Sequence, residues 1–331
     1  MHAVRVHENA ALVYEEVPDP EPGRGEAVVE LKAAGLNRRD LLVRSGIYPF
    51  PLPLIPGSDG AGVRRDTGEE VVIFCGLGWG EREDAPAAGF EVLGGPRDGT
   101  YAELISLPEE NLFPKPAALS WEEAAAFPLA AVTAYRGLFT RGQLQAGETV
   151  LVLGAGSGVS TFVVQLAVQA GARVLVTSSS DDKIARAKEL GAHGGVNYAT
   201  TEDWPAAVAD LGPVDLVLDS VGSTWQQSLD AVRPGGRVVV FGGTGGTEVT
   251  LQVRPLLLQT AVSVRHAARK PAGLRGTPTD ARGRNLASGD RLGHSAGRGR
   301  EGAREDGDRP ALRQGRAVDR LSRSSEVPYC S

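Results

Sequence analysis

The sequence predicts an α/β protein in two parts, a β-rich first domain followed by a doubly wound parallel sheet, and three observations carry the prediction. Over residues 3 to 105, short alternating apolar runs are separated by glycine and proline clusters. From Val150 to Phe241, aliphatic runs alternate with stretches of helical period, the grammar of a parallel sheet covered on both faces. At the start of that second part, Val150-Leu151-Val152-Leu153 runs directly into Gly154-Ala155-Gly156-Ser157-Gly158, so a buried strand meets a helix across a glycine-rich turn.

The chain has 331 residues, a formal net charge of −6 and two cysteines, Cys75 and Cys330. That length admits two domains with a substantial core. The acidic balance argues against a nucleic-acid partner, and two cysteines support neither a disulfide framework nor a cysteine-rich zinc module. Met1-His2-Ala3-Val4-Arg5-Val6 alternates like a strand and lacks an apolar signal core, and no run reaches the roughly 18 apolar residues of a membrane span. A soluble, cytoplasmic protein acting on a small molecule is expected.

In order, Ala3–Val6 and Leu12–Val17 read as a hairpin, and Glu26–Gly35 as a strand with one buried face. A short helix over Arg38–Ser45, a proline-rich loop from Pro49 to Pro56 and a strand over Glu70–Phe74 follow. The stretch from Gly76 to Gly95 is irregular, and Gly99–Ile105 returns to strand. Ser120 is the expected N-cap of a helix at Trp121–Ala126, with Glu123 as its capping-box partner. Pro128 is expected to break that helix before another begins at Ala131 and runs to Phe139. The second part reads strand 150–153, helix 158–170, strand 173–177, helix 182–190, strand 195–198, helix 203–210, strand 214–218, helix 224–232 and strand 236–241. The expected domains are residues 1–125, 126–265 and a tail from 266 to 331.

The glycine turn is where a dinucleotide's phosphates would sit. Glycines permit the sharp turn and close backbone approach, and the unpaired N–H groups of a helix N-terminus favour negative charge. Strand, turn, helix and the next strand, Ala172–Thr177, form a βαβ unit of about 30 residues, the context such a turn requires. Read as G-x-G-x-x-G from Gly154, the third position is Val159, so an ordinary βα turn is the bland alternative. The end of the second strand, Thr177-Ser178-Ser179-Ser180, offers hydroxyls where an NAD site usually places an acid, which favours the 2′-phosphate of NADPH. Ser180 or Asp181 capping the next helix, with Lys183 a solvated charge, is the competing explanation.

Several spaced strings resemble the medium-chain dehydrogenase/reductase superfamily, and within it the zinc-free quinone oxidoreductases related to zeta-crystallin. They are Ala33-Ala34-Gly35-Leu36-Asn37-Arg38-Arg39-Asp40, Arg44-Ser45-Gly46-Ile47-Tyr48-Pro49, Pro56-Gly57-Ser58-Asp59-Gly60-Ala61-Gly62, Asp98-Gly99-Thr100-Tyr101-Ala102-Glu103, Leu129-Ala130-Ala131-Val132-Thr133-Ala134-Tyr135, the glycine turn and Asp219-Ser220-Val221-Gly222. They cover about residues 1 to 260. The resemblance implies a GroES-like catalytic domain followed by a Rossmann domain. Zinc-dependent members carry cysteine where Asn37 stands and a histidine-glutamate pair where Ser58-Asp59 stand; zinc takes thiolate, imidazole or carboxylate, so no metal site is expected. Without a Lewis acid, hydride delivery to an electron-poor quinone or α,β-unsaturated carbonyl is the natural chemistry. A zinc-type alcohol dehydrogenase, or a nucleotide-binding chain rendered inert by its altered C-terminus, are the other readings.

By resemblance, Asn37 and Tyr48 line the nicotinamide and acceptor pocket. A turn-capping Asn and a half-buried aromatic are their structural alternatives, and Asp40 is assigned to holding the local helix. The cofactor set implied is Thr133, Gly154, Gly156, Ser157, Gly158, Val159, Ser178, Ser179, Lys183, Tyr198, Val221, Phe241 and Gly242, with Ser179, Lys183 and Tyr198 at the adenosine phosphate. In the family's alignment Ala155, Ser157 and Ser160 take the places of the three fingerprint glycines of zinc-dependent members. The five histidines form no catalytic pair.

The tail departs from the family. Leu256-Leu257-Leu258-Gln259 still matches, and Val262-Ser263-Val264 reads as the last strand of the sheet. Beyond it, about fourteen arginines face a single lysine, Lys270, among Gly, Ala, Ser and Pro, with no apolar period. Translation of a GC-rich gene in a shifted frame and a basic extension without a fold both account for this composition. Either leaves residues past about 270 without regular structure and removes the return segment on which the homodimer of the family depends.

Overall fold

The computed structural model describes residues 1–82, 85–246 and 248–252, together with the strand residues 261–264 and 312–313. The chain divides between Leu129 and Ala130 into two compact units, the first also taking in residues 312–313.

In the first unit, β1 (His2–Val6) and β2 (Leu12–Glu16) pair antiparallel. The main sheet is built on β3 (Glu26–Gly35), whose alternate residues Ala27, Val29, Leu31 and Ala33 are buried as the period of two requires. β3 pairs antiparallel with β4 (Asp59–Arg64) on one side and β8 (Leu104–Pro108) on the other. β5 (Glu70–Ile73) and β9 (Leu112–Pro114) continue the sheet beyond β4. The helix α1 (Arg38–Arg44) follows β3 directly, and α2 (Trp121–Ala126) carries the capping box of Ser120 and Glu123.

Three expectations change here. The stretch from Gly76 to Gly95, read as irregular, holds a small ladder of β6 (Gly76–Leu77) and β7 (Glu91–Val92). The strand expected over Gly99–Ile105 begins only at Leu104, because the N–H groups of Gly99, Thr100 and Tyr101 bond the carbonyls of Ile55, Gly57 and Pro56. Residues Leu312–Arg313, in the tail read as lacking regular structure, form β16 against Ala33 and Ala34. The physical reason is an open edge: β8 pairs with β3 only from Glu26 to Glu30, so the backbone beyond is available for pairing with little regard to sequence.

The second unit contains a parallel sheet of order β12-β11-β10-β13-β14-β15. Its strands are β10 (Thr149–Val152), β11 (Arg173–Ser178), β12 (Gly194–Asn197), β13 (Leu216–Asp219), β14 (Arg237–Val240) and β15 (Ala261–Val264). The connecting helices are α4 (Gly158–Gln169), α5 (Asp181–Glu189), α6 (Trp204–Asp210) and α7 (Trp225–Ala231). Both faces are covered, which is why the strands are unbroken aliphatic runs: Val150, Val152, Val174, Val176, Leu216 and Leu218 pack with Val163, Val164 and Ile184 on one face. Leu151, Leu153, Leu175, Val217 and Val238 pack with Trp204, Val208 and Leu229 on the other. β15 covers the edge of β14 in register from Arg237↔Ala261 to Val240↔Val264, so the last strand read at Val262-Ser263-Val264 is present. The preceding segment Leu256–Gln259 and most of the tail lie outside the described residues.

Pro128 does not end a helix but starts one. α2 stops at Ala126, α3 (Pro128–Tyr135) begins on the proline, and a π-helical turn over Arg136–Arg141 replaces the expected run to Phe139. Proline fits the first helical position because its missing N–H has no intrahelical partner there.

Candidate active site and dinucleotide site

In the first unit, β3 ends at Gly35 and the chain turns at Asn37, the N-cap of α1. The Asp40 carboxylate accepts the Asn37 backbone N–H at 2.7 Å and the Tyr101 hydroxyl at 2.7 Å. The Asn37 side chain instead reaches β4, its Nδ2 donating to Asp59 Oδ2 at 2.9 Å. Asp59 Oδ1 accepts the Leu129 N–H at 2.8 Å, in the first turn of α3. Asp40 and Asp59 are both buried, and loss of water pushes their carboxyls up, to about 6 and about 7, against the pull of the hydrogen bonds each accepts. Burial also pushes the Tyr101 phenol and the Cys75 thiol up, so neither is an ionised nucleophile at neutral pH.

Tyr48 lies beyond the other end of α1 and is 40% exposed. The Arg39 guanidinium stands over its ring at 5.6 Å and over Phe50 at 5.7 Å, while bonding the carbonyls of Val92 and Gly95. Asn37 is thus both a cap residue and a polar group at a half-buried surface, and Tyr48 is an aromatic with its ring engaged by a cation. Asn37 and Ser58 do not suit zinc: Ser58 is fully buried with Oγ donating to the Leu93 carbonyl at 2.7 Å, and Asn37 directs its amide N–H at Asp59. Among the described residues, no group of three or more His, Cys, Asp and Glu side chains is placed to hold a metal ion.

In the second unit, the glycine turn follows β10 and is tied to both neighbouring strands, the Ala155 N–H bonding the Thr177 carbonyl of β11 and the Ser220 hydroxyl, just after β13, the Leu153 carbonyl. Gly154 and Gly156 take φ of +76° and +95°, the left-handed region where glycine carries no Cβ penalty. Ser157 is the N-cap of α4, its Oγ accepting the Ser160 N–H at 3.1 Å. Ser160 is buried and donates its hydroxyl to the Gly154 carbonyl at 2.9 Å. A side chain thus closes this turn at the N-terminus of α4.

The cofactor residues expected at the end of β11 and beyond it divide in two. Ser178 is buried and holds the turn, donating to the Ala155 carbonyl at 3.4 Å and accepting the Ser180 N–H at 3.4 Å, while Ser180 caps α5. Ser179 and Tyr198 are exposed, and Lys183 lies beside Gly156, where an added Cβ would come within 2.8 Å of its Cδ. Asp181, the nearest acid, accepts from Asn197 Nδ2 at 2.9 Å. Val221, Phe241 and Gly242 meet at the ends of β13 and β14: Phe241 N–H bonds the Asp219 carbonyl, and a Cβ at Gly242 would strike the Ser220 carbonyl oxygen at 2.3 Å. Thr133 is buried on α3.

Sequence reasoning missed Asp219 and Asp59 as organisers. Asp219 Oδ1 accepts the N–H groups of Val221 and Gly222 at 2.7 and 3.0 Å, and Oδ2 the hydroxyls of Thr224 and Ser228, both at 2.9 Å. Its position at the end of a fully apolar strand run was the available signal.

A GroES-like first unit and a Rossmann sheet whose glycine turn suits a dinucleotide define an oxidoreductase architecture. A family model for the alcohol dehydrogenase GroES-like domain matches residues 23–117, and one for zinc-binding dehydrogenases matches residues 158–271. The chain belongs to the medium-chain dehydrogenase/reductase superfamily, whose members bind a nicotinamide cofactor. It is 47% identical over 193 residues to a zinc-type alcohol dehydrogenase-like protein of Schizosaccharomyces pombe, covering 54% of this chain and 56% of that protein, little more than half its length. It is 37% identical to a quinone oxidoreductase of Pseudomonas aeruginosa, over 71% of this chain and 70% of that one. Similar solved structures include an NAD-dependent alcohol dehydrogenase at 39% identity and TM-score 0.74, covering 79% of this chain and 83% of that one. Another is a quinone oxidoreductase of Thermus thermophilus, solved also with NADPH, at 32% identity and TM-score 0.66 over 79% of each chain. No helix among the described residues is long and apolar enough to cross a membrane.

Proposed function

We propose that the chain catalyses NADPH-dependent, metal-independent transfer of a hydride to a quinone or an α,β-unsaturated carbonyl. The observation that carries this reading is the Asn37, Ser58 and Asp59 constellation, in which the positions of zinc ligands in relatives are bonded to one another and to backbone. An acceptor that is already electron-poor needs orientation and exclusion of water rather than a Lewis acid. Bound NADPH would supply the hydride. The turn from Gly154 to Val159 would hold its pyrophosphate, and Ser179, Lys183 and Tyr198 its 2′-phosphate, with Ser178 supporting the turn from beneath. Thr133, Val221, Phe241 and Gly242 complete the cofactor set, while Asn37 and Tyr48 orient the acceptor. The two electrons arrive with one proton as hydride, and the second proton of the hydroquinone comes from solvent or a hydroxyl such as that of Tyr48.

The test is metal-free protein with NADPH and a quinone, followed by the loss of reduced-nicotinamide absorbance. Lys183→Ala is expected to raise the KM for NADPH about tenfold and leave that for NADH nearly unchanged, the effect of one lost charge-assisted hydrogen bond. Thermal stabilisation by NADPH without turnover would defeat the proposal and favour a nucleotide-binding, inert chain. The 39% identity to an NAD-dependent alcohol dehydrogenase supports a second reading, which stoichiometric zinc and alcohol-dependent reduction of the oxidised cofactor would establish.

A further inference from the structure

The Asn37 amide has two chemically opposite ends, and which end faces a substrate decides whether it donates or accepts. Its neighbour settles the matter. Once ionised, which burial delays to about pH 7, Asp59 only accepts, so the contact of Asn37 Nδ2 with Asp59 Oδ2 at 2.9 Å then holds the amide nitrogen on the Asp59 side. Asp59 is itself immobilised: it is 1% exposed and its other oxygen accepts the Leu129 N–H at 2.8 Å, a donor that cannot turn. The amide is therefore held from a group that has no freedom to adapt. Asp40 anchors the same residue through its backbone N–H at 2.7 Å, so Asn37 is fixed at both main chain and side chain.

We propose that Asp59 is the positioning residue of the site, setting through its hydrogen bond which end of the Asn37 amide is presented to the acceptor or to the nicotinamide ribose. The inference rests on the proposed role of Asn37 in hydride transfer. Its consequence follows from counting donors. In Asp59→Asn, the new amide must keep its oxygen on the Leu129 N–H, which turns its NH2 group toward Asn37. Two donors then face each other, and the Asn37 side chain has to rotate by half a turn, exchanging donor and acceptor in the site.

The experiment compares the wild type, Asp59→Asn, and the double variant Asn37→Asp with Asp59→Asn, with NADPH and a quinone. Each is measured for kcat, KM, NADPH dissociation constant and urea midpoint. The double variant restores a carboxylate facing an amide with the polarity reversed, and so restores the internal hydrogen bond without restoring the amide at position 37. Expected are a fall in kcat of about a hundredfold in Asp59→Asn with NADPH binding unchanged, and a double variant whose urea midpoint recovers while turnover stays low. Recovery of turnover together with stability would show that the pair is only structural and overturn the inference. So would wild-type kcat in Asp59→Asn. Should Asp59→Asn fail to fold, a folded and active double variant still overturns the inference. A wild type that binds NADPH and reduces no quinone defeats the proposed function instead, and this inference falls with it.

Discussion

Replacement of Asp219 tests whether the loop after β13 is held by one buried carboxylate. Four donors converge on it: two backbone N–H groups, of Val221 and Gly222, and two hydroxyls, of Thr224 and Ser228. The two kinds of donor respond differently. In Asp219→Asn the amide oxygen can keep the two backbone N–H groups, and its NH2 can donate to the hydroxyls, which rotate to accept; the Ser228 hydroxyl then finds an acceptor in the carbonyl one helical turn back. The expected loss is about 1 kcal/mol. In Asp219→Ala all four donors lose their acceptor, and the backbone N–H groups cannot turn elsewhere. At about 1–3 kcal/mol for each buried donor left unpaired, with the hydroxyls partly rescued, the expected loss is about 3–5 kcal/mol. That is a large part of the stability of about 5–15 kcal/mol typical of a folded protein. Urea unfolding followed by circular dichroism reads both losses, provided the slope is unchanged. The alanine variant should also bind NADPH more weakly, because Val221 and Gly222 lose their anchor. An asparagine variant as damaged as the alanine variant would refute the accounting, since charge rather than donor number would then be what the loop requires.

Two further outcomes are expected. Gly242→Ala places a Cβ 2.3 Å from the Ser220 carbonyl oxygen, a backbone atom, so the loops after β13 and β14 must separate. It should cost about 1–3 kcal/mol and abolish tight NADPH binding, measured by thermal shift and fluorescence titration, while Gly89→Ala, with nothing within 4 Å, should be neutral. The pH prediction follows from Asp59, whose carboxyl burial pushes from 3.8 to about 7. The folded state then holds a proton that the unfolded state releases at lower pH, so this residue's contribution to stability falls as pH rises from about 4 to about 7 and is level above. Urea midpoints of wild type minus those of Asp59→Asn should decline across that window; a flat or rising difference would exclude the burial effect.

What the sequence made legible was whatever a single element decides. The aliphatic runs of β10, β11 and β13, the Ser120 and Glu123 capping box, the turn at Gly154 and Gly156, and the assignment of Asp40 to the helix at Arg38 are all local, and each appears in the structure. Pro128 was misread because the same residue serves as breaker and as first helical residue, and the choice depends on where the preceding helix stops. The strand at Gly99 was misread because its backbone donors go to Ile55, Pro56 and Gly57, more than forty residues away. Ser178 is the instructive case for the candidate site. Its hydroxyl is legible by type, whereas its burial and its bond to the Ala155 carbonyl depend on the turn at the end of β11. The β16 pairing was illegible for the opposite reason, since an open edge accepts backbone whatever the side chains.

The Asp59 carboxylate also bears on the order in which the molecule assembles. It joins Asn37, 22 residues before it, to Leu129, 70 residues after it. Both are contacts whose loop-closure entropy must be met before either hydrogen bond can form, and the longer one requires the greater part of the first unit to be in place. Asp59 is thus held on both sides only once the sheet that carries it and the turn that brings in Leu129 are in place. Recovery of the proposed quinone reduction during refolding should therefore trail the return of secondary structure, making turnover a clock for long-range closure in the first unit rather than for the formation of its strands.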